Sequence, residues 1–259
     1  MRGYVSGSWG QLHYRAEGTA GPAIVLLHES PLSSQIWERV LPLLGRRARA
    51  GARDTPGYGL SDPPPALPDA TAYARELLGA VDALGIDRFA VCGSHTGVSF
   101  GLEVARLAGP RVTHAIWTGV PLMERERAEE WRSRIAQPLA LDDAGTHLAW
   151  LWQRYKYTPE YPVALADMAV AHTLAAPARY WWGYHAALSH DPEPLLRSLA
   201  VPTLLLAGES DQLAFADEPT LALLPRGELH VIRGDERKVS WERAEEYAEA
   251  LLAFVERSA

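Results

Sequence analysis

Short apolar runs recur along the chain and alternate with segments whose apolar residues return every three or four positions. The runs lie at residues 23–27, 89–92, 115–117, 202–206 and 229–232. Continuous apolar runs of this kind are typical of strands buried on both faces, as in a parallel sheet. Residues 7–18 instead alternate around Leu12 and Tyr14, which predicts a hairpin at the start of the chain.

The segments between the runs each carry one apolar face. These faces consist of Trp37, Val40, Leu41 and Leu44 in the first segment, Ala74, Leu77, Leu78 and Val81 in the second, and Ala248, Leu251, Leu252 and Val255 in the last. The spacing predicts amphipathic helices, the first of which follows Ser33. Strands that alternate with such helices predict an α/β fold with a mostly parallel central sheet.

A long insertion separates the strand candidates at 115–117 and 202–206, and its apolar positions are spaced for helices rather than strands. We therefore predict a helical cap over residues 122–194. The core of the fold is then formed by residues 1–121 and 195–259.

Composition narrows the class of protein. The chain has 259 residues, of which 47% are hydrophobic, enough to bury a core without a disulfide or a metal. Cys92 is the only cysteine, and the first residues lack the basic and apolar character of a signal peptide, which predicts a cytoplasmic protein. No apolar run approaches the ~18 residues of a membrane span, and the formal charge of -7 gives no reason to bind nucleic acid or anionic lipid. A small molecule is the expected partner, and the pattern does not address the oligomeric state.

Four motifs follow one another along the chain. They are the segments 26–31 (LLHESP), 54–62 (DTPGYGLSD), 93–97 (GSHTG) and 208–211 (GESD). In this order they resemble the oxyanion segment, the following glycine-rich loop, the nucleophile elbow and the acid turn of the α/β-hydrolase superfamily. The resemblance is to its capped branch, which includes haloalkane dehalogenases, epoxide hydrolases and small-ester hydrolases. It implies the α/β-hydrolase fold, with a cap over the site.

The departures from the family pattern concern the catalytic positions. His95 stands where the elbow carries a serine, cysteine or aspartate nucleophile, and Arg237 falls at the position of the histidine base. Glu29 replaces the glycine of the oxyanion segment. An arginine stays charged and cannot accept a proton, so we expect no serine-type triad.

The altered site suggests acid-base chemistry. We expect Asp211 and Arg237 to form a bidentate ion pair and His95 to act as a general base, because a neutral imidazole can accept a proton at physiological pH. The backbone amides of Ser30 and Thr96 would stabilise the developing anion. This favours a cofactor-independent, non-hydrolytic reaction of lyase, cyclase, isomerase or decarboxylase type on a small aromatic substrate, such as a natural-product intermediate.

Other interpretations stay open. His95 and Asp211 together could activate water to hydrolyse an ester, lactone or epoxide, or the site could have decayed into that of a ligand-binding pseudohydrolase. Arg237 could hold two loops through Asp211 or clamp a substrate carboxylate or phenolate. Glu29 could be a catalytic acid or the partner of an arginine.

The cap segment is rich in aromatic residues, which favours an apolar or aromatic substrate. Our predicted pocket residues are Trp117, Trp150, Trp181, Tyr184 and His185. The histidines at 114, 172 and 190 lack metal-ligand spacing, so we expect neither a metal nor another cofactor.

Overall fold

The computed structural model describes residues 1–257, and within them the predicted strand runs pair into one eight-stranded sheet. The strands are β1 (Arg2–Gly7), β2 (Gly10–Glu17), β3 (Ala23–Leu27), β4 (Arg49–Arg53), β5 (Phe89–Ser94), β6 (Val112–Thr118), β7 (Thr203–Gly208) and β8 (Gly227–Ile232). Their order is β1-β2-β4-β3-β5-β6-β7-β8. The pairs β1–β2 and β2–β4 are antiparallel and all the others are parallel. The predicted mostly parallel sheet is therefore confirmed.

Helices cover both faces of the sheet. They are α1 (Leu41–Leu44), α2 (Ala70–Ala83), α3 (Thr96–Ala108), α4 (Arg125–Ile135), α5 (Thr146–Tyr155), α6 (Val163–Ala175), α7 (Trp182–Leu188), α8 (Glu193–Ser198), α9 (Asp217–Leu223), α10 (Val239–Glu242) and α11 (Ala244–Arg257). Every residue of β3, β5 and β7 is buried, because alternate side chains enter hydrophobic clusters on opposite faces. This two-sided burial explains why these strands are continuous apolar runs in the sequence.

Three local features differ from the prediction. The opening hairpin turns between Gly7 and Gly10 and pairs residues 2–7 with 10–17, so it begins earlier than the predicted 7–18. Strand β4 was not predicted, since its sequence RAGAR has neither an apolar run nor a regular alternation. Instead of one helix after Ser33, a 3₁₀ turn (Ser34–Trp37) precedes the short α1.

The helices α4 to α8 form the insertion between β6 and β7, over the carboxyl ends of the strands. Helix α7 packs on α2 and α3 of the core and on α4 of the insertion. The division into a core and a cap at 122–194 stays a prediction, and residues 258–259 of the predicted core lie outside the described residues. No helix within residues 1–257 has both the length and the apolar character needed to cross a bilayer.

Candidate active site

The turn between β5 and α3 presents His95 above the sheet. Its backbone has φ +47° and ψ -113°, and it is the one non-glycine residue with positive φ within residues 1–257. A positive φ of this kind fits the strained strand-to-helix turn of a nucleophile elbow. A side chain at Gly97 would lie 2.5 Å from the carbonyl oxygen of Leu27 and 2.7 Å from that of His28. Only glycine allows this close approach of α3 to β3.

The His95 imidazole bonds directly to the carboxylate of Asp211. Nε2 lies 2.8 Å from Oδ2, while Oδ1 accepts the backbone N–H of Leu213 at 2.8 Å. An ionised carboxylate only accepts hydrogen bonds, so this contact assigns the ring hydrogen of neutral His95 to Nε2. Nδ1 then carries the lone pair. It lies 3.5 Å from the side-chain nitrogen of Gln212.

Room for the imidazole comes from Gly119, directly after β6. A Cβ at this position would lie 2.4 Å from Cδ2 and 2.6 Å from Nε2 of His95, and the glycine has φ +66°. Both the backbone conformation and the space exclude a side chain. The ring reaches Asp211 because residue 119 has no side chain.

A buried lysine completes the charged centre. Nζ of Lys238 lies 2.9 Å from both carboxylate oxygens of Glu29 and 3.2 Å from Nε2 of His95. Ser94 donates its hydroxyl to Oε2 of Glu29 at 2.8 Å. The side chains of Glu29, His95, Asp211 and Lys238 are all less than a tenth exposed.

These neighbours keep the three charged partners ionised. Burial opposes ionisation of Glu29 and Asp211. Attraction of Glu29 to Lys238 and of Asp211 to the N–H of His95 outweighs this effect and holds the pKa of both carboxyls below their ordinary values. Burial also opposes protonation of Lys238, and the two carboxylates outweigh it and raise the pKa of this ammonium. The centre thus contains two carboxylates, one ammonium and an imidazole.

The predicted ion pair between Asp211 and Arg237 was wrong. Arg237 donates Nη1 to the backbone carbonyl of Ser210 at 2.9 Å, and Asp211 is occupied by His95. Consecutive side chains in the loop after β8 point in different directions, and Lys238 is the cation that turns inward. Glu29 is consequently the partner of a lysine rather than of an arginine.

The two amides expected to bind an anion differ in availability. The Ser30 N–H donates to Oγ1 of Thr96 at 2.7 Å, so it is already occupied. Thr96 is the first residue of α3, where a backbone N–H has no acceptor within the helix. The amide of Thr96 and the ammonium of Lys238 are therefore candidate donors to an anion near His95, where the Gln212 side chain also lies.

A pocket of about 650 Å³ opens between His95 and the insertion helices. Six tryptophan and tyrosine residues contribute to its walls: Trp131, Trp150, Tyr155, Tyr157, Tyr161 and Tyr184. This volume is in the range of pockets that bind small organic ligands. A larger hollow of about 880 Å³ shares part of its wall but does not include His95 in its lining.

The structure brings Trp150 and Tyr184 to the pocket but not the other three predicted residues. Trp117 is buried beneath α3, where its ring fills the space left by Gly101. Trp181 and His185 pack edge to face, with ring centroids 5.8 Å apart, outside the pocket wall. They form an i, i+4 row of α7 next to the row that contains Tyr184.

Lys238 is the functional residue that the sequence analysis missed. The sequence does show a second cation directly after Arg237. Spacing alone, however, does not tell which of two adjacent cations faces the site. Among residues 1–257, no group of three or more His, Cys, Asp or Glu is placed to hold a metal ion. The absence of metal and cofactor stays a prediction.

Comparison with known proteins agrees with this architecture. A family model described as alpha/beta hydrolase fold matches residues 22–244. The chain is 26% identical to 2-hydroxy-6-oxononadienedioate/2-hydroxy-6-oxononatrienedioate hydrolase 2 of Pseudomonas putida, over 95% of the chain and 92% of that relative. It is 36% identical to haloalkane dehalogenase 2 of Mycobacterium bovis over 106 residues, which cover 40% of the chain and 37% of that relative.

A thermophilic esterase from Thermogutta terrifontis superposes with a TM-score of 0.82 at 21% identity, over 100% of this chain and 99% of the esterase. At this identity the likeness concerns the fold alone. The family model, in contrast, spans most of the sequence and includes the elbow, the acid turn and the loop of Lys238. The chain belongs to the α/β-hydrolase fold family.

Proposed function

We propose that the protein is a hydrolase of a small ester or lactone, in which His95 and Asp211 activate water. The observation that carries the proposal is the 2.8 Å contact between Nε2 of His95 and Oδ2 of Asp211. It orients an imidazole at the elbow so that Nδ1, which lies 3.5 Å from the Gln212 side-chain nitrogen, is the basic atom. The Pseudomonas putida relative is named as a hydrolase, and its similarity to this chain extends over nearly its whole length. This favours hydrolysis over the non-hydrolytic reaction that the sequence suggested.

The proposed reaction uses Nδ1 of His95 as general base and then as general acid. A water proton moves to Nδ1 while the water oxygen bonds to the carbonyl carbon. The tetrahedral intermediate collapses by breaking the bond to the leaving oxygen, which takes the proton from Nδ1. Asp211 stabilises the imidazolium that exists between these steps. The products are a carboxylic acid and an alcohol, joined in one molecule when the substrate is a lactone.

Lys238 would supply positive charge as the oxyanion develops. Its ammonium lies beside the imidazole, and burial makes such a charge more effective than it would be in water. The Thr96 amide at the start of α3 would add a hydrogen bond. These two donors replace the pair of backbone amides predicted from the sequence.

The substrate is proposed to be apolar or aromatic. The wall of the pocket contains more aromatic rings than charged groups, and Tyr157 and Tyr161 lie with ring centroids 5.2 Å apart. Flat, apolar molecules gain most from such a wall.

Proton abstraction from carbon is the second candidate function. The same Lys238 ammonium could stabilise an enolate after His95 removes an acidic proton. This would be a lyase- or isomerase-type reaction, as the sequence first suggested. It predicts exchange of substrate C–H for deuterium in heavy water without hydrolysis.

The proposal is tested by turnover of aryl esters, lactones and epoxides by the wild type, His95→Ala and Asp211→Asn. Loss of a positioned general base lowers rates by roughly 10²–10⁴-fold, so both variants should fall steeply in kcat. His230→Ala, which removes an exposed histidine from β8, is the matched control and should keep wild-type turnover.

Equal hydrolysis by the wild type and His95→Ala would rule out the proposed mechanism. Deuterium exchange without hydrolysis would support the second candidate. Ligand binding without either reaction would instead support the pseudohydrolase interpretation.

A further inference from the structure

One cation in the pocket wall has no acidic partner. Arg154 lies in the last turn of α5 and lines the pocket that contains His95. Its Nη2 donates to the backbone carbonyl of Ile135 at 3.1 Å, while its buried Nε has no hydrogen-bond partner. Within residues 1–257 no carboxylate oxygen lies within 4.0 Å of this guanidinium. Nε is closed off by its neighbours, but Nη1 makes no hydrogen bond within residues 1–257 and is not buried. This nitrogen is therefore the donor that a ligand in the pocket can reach.

The other two cations of the pocket wall are already paired. Lys238 bonds both oxygens of Glu29. Arg134 is 70% exposed and lies 3.6 Å from Glu130. Arg154 is thus the cation of this wall with donors to spare for an incoming anion.

Aromatic rings surround the guanidinium and shape what can reach it. Its Cζ lies 5.2 Å from the ring centroid of Trp150, 5.6 Å from that of Tyr155 and 5.8 Å from that of Tyr184. Rings at these distances stabilise the cation through cation–π attraction. They also keep water away, and this strengthens a charge-assisted hydrogen bond to an anion.

We propose that Arg154 binds a carboxylate of the substrate, so that the protein acts on aromatic or planar esters or lactones that carry a carboxylate remote from the reacting carbonyl. The inference rests on the proposed function for the position of the reacting carbonyl at His95. The anion site itself rests only on Arg154 and its surroundings. Planar guanidinium and carboxylate groups match in geometry, and the rings around Arg154 would cover the body of such a molecule.

The experiment compares binding of two unreactive probes, 3-phenylpropanoate and 3-phenylpropanamide, by isothermal titration calorimetry. They have nearly the same shape and differ in charge, and neither requires catalysis. The wild type should bind the carboxylate at least about tenfold more tightly than the amide, equivalent to about 1.4 kcal/mol. Arg154→Met, which keeps an unbranched apolar stem against the rings, should abolish this ratio.

Two further variants separate recognition from a purely structural role. If Arg154 only joined α5 to the end of α4 at Ile135, its loss would weaken both probes equally and leave their ratio unchanged. Arg154→Lys keeps the charge without the planar fork and should retain part of the preference, and it serves if Arg154→Met does not fold. Arg111→Met removes a paired arginine outside the pocket wall and should leave the ratio at the wild-type value.

The two proposals fail in different ways. If His95→Ala keeps the carboxylate preference while no ester is hydrolysed by the wild type, the proposed reaction fails and the anion site stands. If the wild type shows no preference, or if the preference survives Arg154→Met and disappears in Lys238→Met, the assignment to Arg154 is overturned.

Discussion

Two charged side chains compete for the same ring nitrogen of His95. Nε2 lies 2.8 Å from the carboxylate of Asp211 and 3.2 Å from the ammonium of Lys238. A hydrogen on Nε2 satisfies Asp211 and turns Lys238 towards Glu29. The ion pair with Glu29 therefore has a chemical consequence. It keeps the ammonium from donating a hydrogen bond to Nε2, which would require the ring hydrogen to move to Nδ1. The pair of Glu29 and Lys238 thus supports the pair of His95 and Asp211.

Removing the cation should expose this dependence. In Lys238→Met the carboxylate of Glu29 stays buried without its counterion, and breaking a buried pair costs about 3–5 kcal/mol. We expect urea unfolding at pH 7 to show a loss of free energy of unfolding of about this size. The double variant Glu29→Gln/Lys238→Met should recover most of it, because no unpaired charge is left.

Arg237→Met is the matched control for this measurement. Arg237 makes one hydrogen bond, to the carbonyl of Ser210, and its loss should cost about 1 kcal/mol. A similar loss in Arg237→Met and Lys238→Met, or no recovery in the double variant, would contradict the role assigned to the pair of Glu29 and Lys238.

The sequence predicted the position of a residue in the fold where a motif fixes the backbone, while the catalytic roles stay predictions. The elbow and the acid turn identify His95 and Asp211, because each motif specifies a position on the sheet. It failed for Arg237 because the loop after β8 has no motif that fixes its conformation. The orientation of Lys238 depends on Glu29, which is distant in sequence.

At the scale of elements, the loop after β6 is as important as the elbow after β5. Gly119 lies beneath the imidazole, and a Cβ there would be 2.6 Å from Nε2. Gly119→Ala should push the ring away from Asp211. A misplacement of about 1 Å can cost 10²-fold in rate, so we expect kcat/KM for an ester to fall about 10²-fold, provided that the protein is a hydrolase.

The control for this substitution is Gly79→Ala in α2. A Cβ at Gly79 meets no atom within 4 Å, and alanine favours a helix over glycine by about 0.5–1 kcal/mol. Gly79→Ala should leave kcat/KM unchanged and slightly raise the melting temperature. If Gly119→Ala also kept full activity, the space beneath His95 would not matter for catalysis.

Elements were predictable from the sequence where burial is two-sided or the face is regular. The runs that became β3, β5 and β7 are apolar throughout because helices cover both sides of the sheet. Strand β4 escaped prediction because its buried positions are held by alanine, glycine and an arginine. Its pairing with β3 and β2 makes it a strand, and such long-range pairing leaves no local pattern.

At the scale of the whole molecule, folding gathers negative charge at the carboxyl ends of the strands. Glu29 and Asp211 are stabilised by Lys238 and His95, but Asp217 at the start of α9 is not compensated to the same extent. Burial and the charges of Asp211 and Glu218, opposed by His95, raise its pKa to about 7 from an ordinary value of 3.8. The location of the site thus imposes a cost on the stability of the fold.

The sign of the resulting pH dependence follows from linkage. Asp217 binds its proton more tightly in the folded state, so its contribution to stability is full below about pH 3.8 and is lost as the pH rises to about 7. Asp217→Asn cannot ionise and lacks this loss. At about 1.4 kcal/mol per pKa unit, the variant should exceed the wild type at pH 8 by several kcal/mol, on the order of 4 kcal/mol, and by much less at pH 4. Urea unfolding at both pH values measures the difference.

Glu218→Gln, at the exposed neighbouring position, should give a much smaller change, since it removes only one of the charges acting on Asp217. Parallel pH curves for Asp217→Asn and the wild type would mean that Asp217 ionises as readily in the fold as in the unfolded chain, and that the charge gathered at the site is compensated there.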